Sequence, residues 1–250
     1  MVAMATQTTH TALVTGANKG LGLETARRLG AEGWQVFLGS RDEARGRAAA
    51  AALAADGIDV VAVPLDVTDD DSVAAAERLV REHTGHLDVL VNNAGAPGTA
   101  VHPAEATVAD LAPVFDVNVF GIVRVTHAFL PLLQAADHPR VVMVSSGGGA
   151  FSVVTDPNQA VSKMHELAYS TSKAAVNMLT VRYAQAFPEI KFNAVTPGEV
   201  ATGKFAATDM NMHRGQLTVT EGTDVFLRFA LVGPDGPTGV FEDRLGPVAW

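Results

Sequence analysis

Cysteine is absent from the 250 residues. That excludes disulfides, thiolate metal ligands and a cysteine nucleophile, and it fits a reducing compartment. Aromatic residues make up only 6 % of the chain, and two of them, Tyr169 and Tyr183, are its only tyrosines. No apolar run approaches the ~20 residues that cross a bilayer. The opening MVAMATQTTH has neither the basic segment nor the apolar run of a signal peptide. Positive charge is scarce too: a net charge of -9 argues against a nucleic-acid or anionic-membrane surface. The eight histidines form no HExxH, and His83 with His86 is the only close pair, so no metal site is expected. A cytoplasmic protein is expected, with residues 1–9 as a disordered tail.

What is present is a regular alternation. Short runs rich in Val, Leu and Phe at 11–15 (TALVT), 35–39 (QVFLG), 59–64 (DVVAVP), 88–92 (DVLVN), 140–145 (RVVMVS) and 191–196 (KFNAVT) read as buried strands. Helical stretches at 20–31, 43–55, 70–83, 108–134 and 166–187 separate them, and a late helix near 220–231 precedes a seventh strand at 238–241. Alternation of this kind specifies βαβ units with right-handed crossovers. It predicts a single α/β domain: a doubly wound, mainly parallel sheet of about seven strands with helices on both faces. Two long loops, 147–163 and 198–218, follow strand carboxyl ends, where such sheets bind ligands. The second is expected to act as a substrate lid.

The first strand runs into TGANKGLG (15–22). Glycines at a strand-to-helix turn admit a pyrophosphate to the backbone, and the helix N-terminus stabilises its charge. A merely tight turn is the alternative, since the spacing is GxxxGxG rather than GxGxxG. The second strand ends at Ser40-Arg41-Asp42, and Arg41, Arg45, Arg47 and Lys19 gather cations around one expected pocket. A guanidinium there fits a 2′-phosphate, favouring NADP over NAD, whereas incidental arginines on a solvated helix start would not. Asp66 either accepts from an adenine amino group or caps the next helix, for which Asp69 is the better candidate. Ser146, before a glycine run, reads as a hydrolase nucleophile without its elbow, as a turn residue, or as a donor to a substrate carbonyl.

Tyr169 and Lys173 stand at i and i+4, on one helix face. A phenol has an ordinary pKa of about 10, so acid–base work near neutrality asks for ~4 kcal/mol of phenolate stabilisation. An ammonium ~4 Å away supplies about 1 kcal/mol in water but about 4 at an effective dielectric of ~20. The pair is therefore chemical only in a desolvated pocket. On an exposed helix it is a snorkelling lysine beside a tyrosine.

Taken in order, TGANKGLG (15–22), NNAG (92–95), Asn118, Ser146, YSTSK (169–173) and TPG (196–198) resemble the classical short-chain dehydrogenase/reductases over essentially the whole chain. NKG in the first turn and Ser-Arg-Asp after the second strand resemble the NADPH-dependent carbonyl reductase branch. The resemblance implies a catalytic set of Ser146, Tyr169, Lys173 and Asn118. In it Tyr169 protonates the developing alkoxide, Ser146 donates to the carbonyl oxygen, Lys173 lowers the tyrosine's pKa and Asn118 holds a proton-relay water. It also implies an NADP(H) site of Gly16, Asn18, Lys19, Gly20, Leu21, Gly22, Arg41, Asp66, Val67, Asn92, Ala94, Gly95, Tyr169, Lys173, Pro197, Gly198, Val200 and Thr202. The partner would be a small carbonyl or alcohol substrate. An NAD-linked alcohol or steroid-type dehydrogenase and a non-catalytic dinucleotide sensor are the alternatives. Ser146 and Tyr169 lie 23 positions apart, a longer interval than in most classical members. An insertion there obstructs tetramer pairing in some carbonyl reductases, so a homo-oligomer, a dimer and a monomer all stay open.

Overall fold

Eight strands lie in one sheet, in the order β10-β9-β6-β5-β4-β1-β2-β3, in a computed structural model that describes residues 10–164 and 166–250. The expected tail at 1–9 falls outside the described residues. Six parallel strands form the body: β1 (Thr11–Val14), β2 (Gln35–Ser40), β3 (Val60–Pro64), β4 (Val89–Asn92), β5 (Arg140–Val144) and β6 (Lys191–Val195). Helices cover both faces, so β1, β4 and β5 are buried at every residue. That explains why they read as continuous apolar runs rather than alternating ones.

Successive residues still divide between two cores. Ala12 and Val14 face α1 (Gly20–Ala31), α2 (Glu43–Ala55) and α8 (Val219–Ala230), whereas Leu13 faces α3 (Asp70–His83), α5 (Gly121–Gln134) and α7 (Leu167–Ala186). Phe226 anchors the first core, and Phe37, Phe129 and Phe192 the second, all fully buried. Asp42 and Asp69 start α2 and α3 by accepting backbone N–H groups, each such cap being worth about 1 kcal/mol. No helix among the described residues is long and apolar enough to cross a membrane.

The structure corrects the sequence expectations in four places. The helix expected over 108–134 is two helices, α4 (Val108–Phe115) and α5, joined by a π turn at Asp116–Phe120. The wider turn buries Asn118 completely, and Arg124 braces it by pairing with Asp116 at 2.8 Å and Asp70 at 3.0 Å. The last parallel strand is β9 (Phe241–Asp243) rather than 238–241, because Gly239 (φ +73°) first turns the chain onto the edge of β6. A further antiparallel edge strand, β10 (Gly246–Pro247), brings the sheet to eight, with a proline where the edge leaves its missing N–H harmless. The two long loops are partly ordered. The first contains a 3₁₀ turn at Gly147–Gly149, a short helix α6 (Phe151–Val154) and a second 3₁₀ turn at Ala160–Lys163. The second contains a small ribbon of β7 (Gly198–Glu199) and β8 (Lys204–Phe205), besides 3₁₀ turns at Val200–Thr202 and Asp209–Asn211.

Candidate active site

β2 and β3 extend from one side of β1 and β4 lies on the other, so the sheet's topological switch point falls between β1 and β4. Open α/β sheets bind ligands outside the carboxyl ends of the strands at such a point. Thr15 joins the two strands there. Its hydroxyl accepts from the Asn93 and Ala94 backbone N–H groups at 3.0 and 2.9 Å, and donates to the Val91 carbonyl at 3.3 Å.

The turn after β1 holds Gly16, Asn18, Lys19, Gly20, Leu21 and Gly22 against this seam. Gly16 and Gly20 take left-handed φ of +63° and +57°, which a side chain would strain. A Cβ on Gly22 would lie 2.5 Å from Asn93 Nδ2 and 2.6 Å from the Gly16 carbonyl oxygen. The start of α1 has no side-chain cap and no acidic residue in its first turn. Its N–H groups and partial positive charge therefore suit an anion such as a pyrophosphate.

The four expected cations differ in their engagement. Arg45 pairs with Asp42 at 3.2 Å, Arg47 with Glu43, and Lys19 reaches Asp209 of the second loop at 2.5 Å. Arg41 is exposed at the end of β2 and makes no ion pair among the described residues. Asp42, which follows it, is engaged as the cap of α2. The edge near the adenosine half of a dinucleotide thus keeps an open guanidinium and has its neighbouring carboxylate occupied. The residues present fit NADP(H).

The other expected residues differ in their surroundings. Asp66 accepts from the Thr68 N–H and hydroxyl through Oδ1 alone, while Asp69 is the helix cap. Val67 is buried, its side chain set against Gly121. Asn92 is buried with its amide on Thr126 (3.1 Å) and Met143 (3.4 Å). It is Asn93 that holds the glycine turn, donating to the Thr15 and Gly16 carbonyls. Ala94 and Gly95 line the gap beyond, and a Cβ on Gly95 would stand 3.8 Å from Lys173 Nζ. Beyond β6, Pro197 and Gly198 lead to Val200, whose N–H donates to Asp243 at 2.8 Å. The Thr202 hydroxyl is turned onto buried Glu199 at 2.7 Å. Together with Arg244 at 2.6 Å it holds that carboxyl below the usual range, the Thr202 hydrogen bond contributing most.

At the end of β5, α7 is drawn close to the strand. Lys173 Nζ donates to the Val144 carbonyl at 2.9 Å, Ser145 donates to Asn177 at 2.5 Å, and Asn177 donates to the Gly149 carbonyl at 3.0 Å. A Cβ on Gly149 would stand 2.5 Å from the Lys173 carbonyl carbon and 2.7 Å from the Ala174 nitrogen, so only glycine fits. Ser146 starts the 3₁₀ turn, its Oγ accepting from the Gly148 N–H at 3.1 Å. The Lys173 ammonium lies 5.6 Å from the centre of the Tyr169 ring, within cation–π range.

Asn118 completes the group from the π turn, an element frequent at functional sites. Its Nδ2 donates to the Ala96 carbonyl and to Ser172 Oγ, both at 3.0 Å, while its Oδ1 accepts from the Ala96 N–H at 2.8 Å. Ser172 donates in turn to the Tyr169 carbonyl at 2.7 Å. Both amide hydrogens of Asn118 are occupied, so its side chain can offer a water only an oxygen lone pair.

Electrostatics depart from the sequence expectation. Burial pushes the Tyr169 phenol up to about 12; Ser146 pulls it down and Glu166 raises it further, each by less than burial. Burial also lowers Lys173 to about 8. Burial is thus the largest influence on each of the two groups. The sequence pattern assigned no role to Thr15, Ser145, Ser172 and Asn177, and Asn93 entered only as part of NNAG (92–95). The available signal was the inward stripe of α7, where Ser172, Lys173, Asn177 and Thr180 are buried polar residues on one helical face.

Residues 10–212 match the family model described as short chain dehydrogenase, and the chain belongs to that family. It is 33 % identical to (+)-neomenthol dehydrogenase of Arabidopsis thaliana, over 96 % of this chain and 98 % of that one. It is 30 % identical to salutaridine reductase of Papaver somniferum, over 93 % of each. Among solved structures, NADPH-bound carbonyl reductase from chicken fatty liver superposes with a TM-score of 0.84 at 28 % identity, covering 97 % of this chain and 99 % of that one.

The Gly149 contact yields a direct test. Gly149→Ala is expected to destabilise the protein by about 1–3 kcal/mol through overpacking against α7. Thermal denaturation would register this as a fall of ~2–4 °C in Tm per kcal/mol, and an unchanged Tm would show that α7 can move away from the turn.

Proposed function

We propose that the protein is an NADPH-dependent reductase of ketones or aldehydes, with Tyr169 as the general acid. The observation that carries this is the convergence of the Tyr169 phenol, Ser146 and a buried Lys173 on one point of the sheet's carboxyl edge, beside a turn shaped for a dinucleotide. Membership in an oxidoreductase family and likeness to an NADPH-bound carbonyl reductase support it. NADPH, when bound, supplies the hydride that reduces the carbonyl carbon. Gly16, Gly20 and Gly22 with the start of α1 would hold its pyrophosphate, and Arg41 its 2′-phosphate.

The chain's own groups handle the oxygen. A carbonyl oxygen gains negative charge as its carbon is reduced, so donors already aimed at it stabilise the transition state most. Ser146 turns its hydroxyl to that oxygen and Tyr169 delivers the proton. A phenol held near 12 is fully protonated at neutral pH, which is the form a proton donor requires. It remains a far stronger acid than the alkoxide's conjugate alcohol, so transfer is downhill. Lys173 keeps its ammonium at the ring, where it stabilises the phenolate left behind. Asn118 holds Ala96 and Ser172 in place and thereby fixes the backbone carrying Tyr169.

Three outcomes follow. Tyr169→Phe lowers kcat by ~10²–10⁴-fold while NADPH binding, followed by cofactor fluorescence, is nearly unchanged; full activity would remove Tyr169 from the mechanism. Lys173 loses its charge as pH rises through about 8, so kcat/KM for NADPH falls above that pH, because this parameter reports ionisations of the free enzyme. A flat initial-rate profile to alkaline pH would mean the ammonium is not needed. Arg41→Asp removes a charged hydrogen bond worth about 1.5–3 kcal/mol. The NADPH-to-NADH ratio of kcat/KM then drops by ~10–100-fold, and a constant ratio would place the 2′-phosphate elsewhere.

A further inference from the structure

Helix α7 carries the serine and threonine hydroxyls of Ser170, Thr171, Ser172 and Thr180. A hydroxyl inside a helix ordinarily donates to a backbone carbonyl about one turn back. Thr171 donates in this way to the Leu167 carbonyl at 2.6 Å, Ser172 to the Tyr169 carbonyl at 2.7 Å and Thr180 to the Val176 carbonyl at 2.9 Å. Ser170 differs. Its backbone N–H donates to Glu166 at 3.1 Å as the helix requires, yet its partly buried side chain makes no hydrogen bond among the described residues.

That hydroxyl faces the turn that carries Ser146. A Cβ on Gly148 would lie 3.4 Å from Ser170 Oγ, 3.5 Å from Ser146 Oγ and 3.6 Å from Val161 Cγ2. Two hydroxyls therefore border one small space from different elements, and Val161 gives it an apolar side. The missing side chain of Gly148 keeps that space open. Ser146 Oγ already accepts from the Gly148 N–H at 3.1 Å, so its own proton is left to donate. Ser170 follows Tyr169 directly, which sets the spare hydroxyl beside the proposed acid.

We propose that Ser170 is a specificity-determining residue that binds a second substrate oxygen next to the reacting carbonyl. The substrate class is a ketone with an oxygen on the adjacent carbon, as in a vicinal diketone. Ser146 and Tyr169 take the reacting oxygen and Ser170 its neighbour. Both serine hydroxyls lie within 3.5 Å of one point, so the oxygens they bind belong to neighbouring carbons rather than to opposite ends of a molecule. A substrate with a methylene at that place is disfavoured, because it covers the Ser170 hydroxyl without giving it a partner. This inference rests on the reductase function proposed above. Hydride from NADPH adds to one carbonyl carbon and the Tyr169 proton to its oxygen, so a diketone leaves as a hydroxy ketone and the cofactor as NADP+.

The test compares 2,3-pentanedione with 2-pentanone, which has a methylene in place of the second carbonyl, using the full chain with NADPH. Ser170→Ala is expected to lower the kcat/KM ratio of diketone to ketone by about 3–10-fold, the loss of one neutral hydrogen bond. Gly148→Ala sets a methyl group between the two hydroxyls at ordinary contact distances, so it is compatible with folding, and the same ratio is expected to fall. The diketone's greater intrinsic reactivity cancels, because each variant is read against the unmodified protein. A ratio within twofold of the unmodified protein's in either variant, or equal losses on both ketones, would overturn the assignment. Binding of the two ketones to the NADP+-loaded protein, followed by ligand-observed NMR, reads the contact without turnover. There Ser170→Ala is expected to raise the Kd of the diketone by about 3–10-fold, and an unchanged Kd would overturn the assignment. Reduction of neither ketone by the unmodified protein would count against the reductase function, and the Kd comparison would then decide the role of Ser170 by itself.

Discussion

The close approach of α7 to the end of β5 is the constraint on which the active edge depends. Gly149 has no room for a methyl group there, and that closeness lets Lys173 bury its amine against the Val144 carbonyl. A lysine buried to 4 % exposure is costly unless its N–H groups find partners. The same approach provides one, the Val144 carbonyl. The raised tyrosine and the lowered lysine are thus two results of one packing event. Ser145 and Asn177 make that event specific, since their hydrogen bonds set both how far α7 sits from the strand and how it is rotated.

A second constraint acts at the opposite side of the switch point. Thr15 ties β1 to the residues after β4, and Asn93 holds the glycine turn from the other side. These bonds keep the start of α1 uncapped and open, because its polar neighbours are committed to the seam and not to the helix. Charge is arranged by the same economy. Arg45 and Arg47 are held by carboxylates within their own helix, Lys19 reaches the second loop, and Arg41 alone of the four stands without an ion pair among the described residues. Counting cations along the sequence treats the four alike, whereas their environments do not.

Much of the architecture was legible because it follows from local rules. α1, α2 and α3 begin and end where periodicity and capping residues place them, and the buried parallel strands differ from the expected runs by a residue or so. The π turn at Asp116–Phe120 was not legible, since an inserted residue in a helix leaves the apolar pattern nearly intact while rotating Asn118 inward. β9 was displaced from its expected place because Gly239 adopts a left-handed turn against β6, a contact between residues ~45 positions apart in the chain. Asn92 was taken for a cofactor residue on its position at a strand end, yet alternation points it into the core and leaves Asn93 at the turn.

Sequence alone determined the alternating architecture, the glycine turn, and the order of motifs that sets Tyr169 and Lys173 on one helical face, because each depends on neighbours within a few residues. Tertiary structure alone decided the direction in which burial moves the pKa of each member of that pair. Burial is a property of everything packed around a group, and here it is the largest influence on both members of the pair. It also decided that Lys19 of the glycine turn meets Asp209 of the second loop, 190 positions away in the chain.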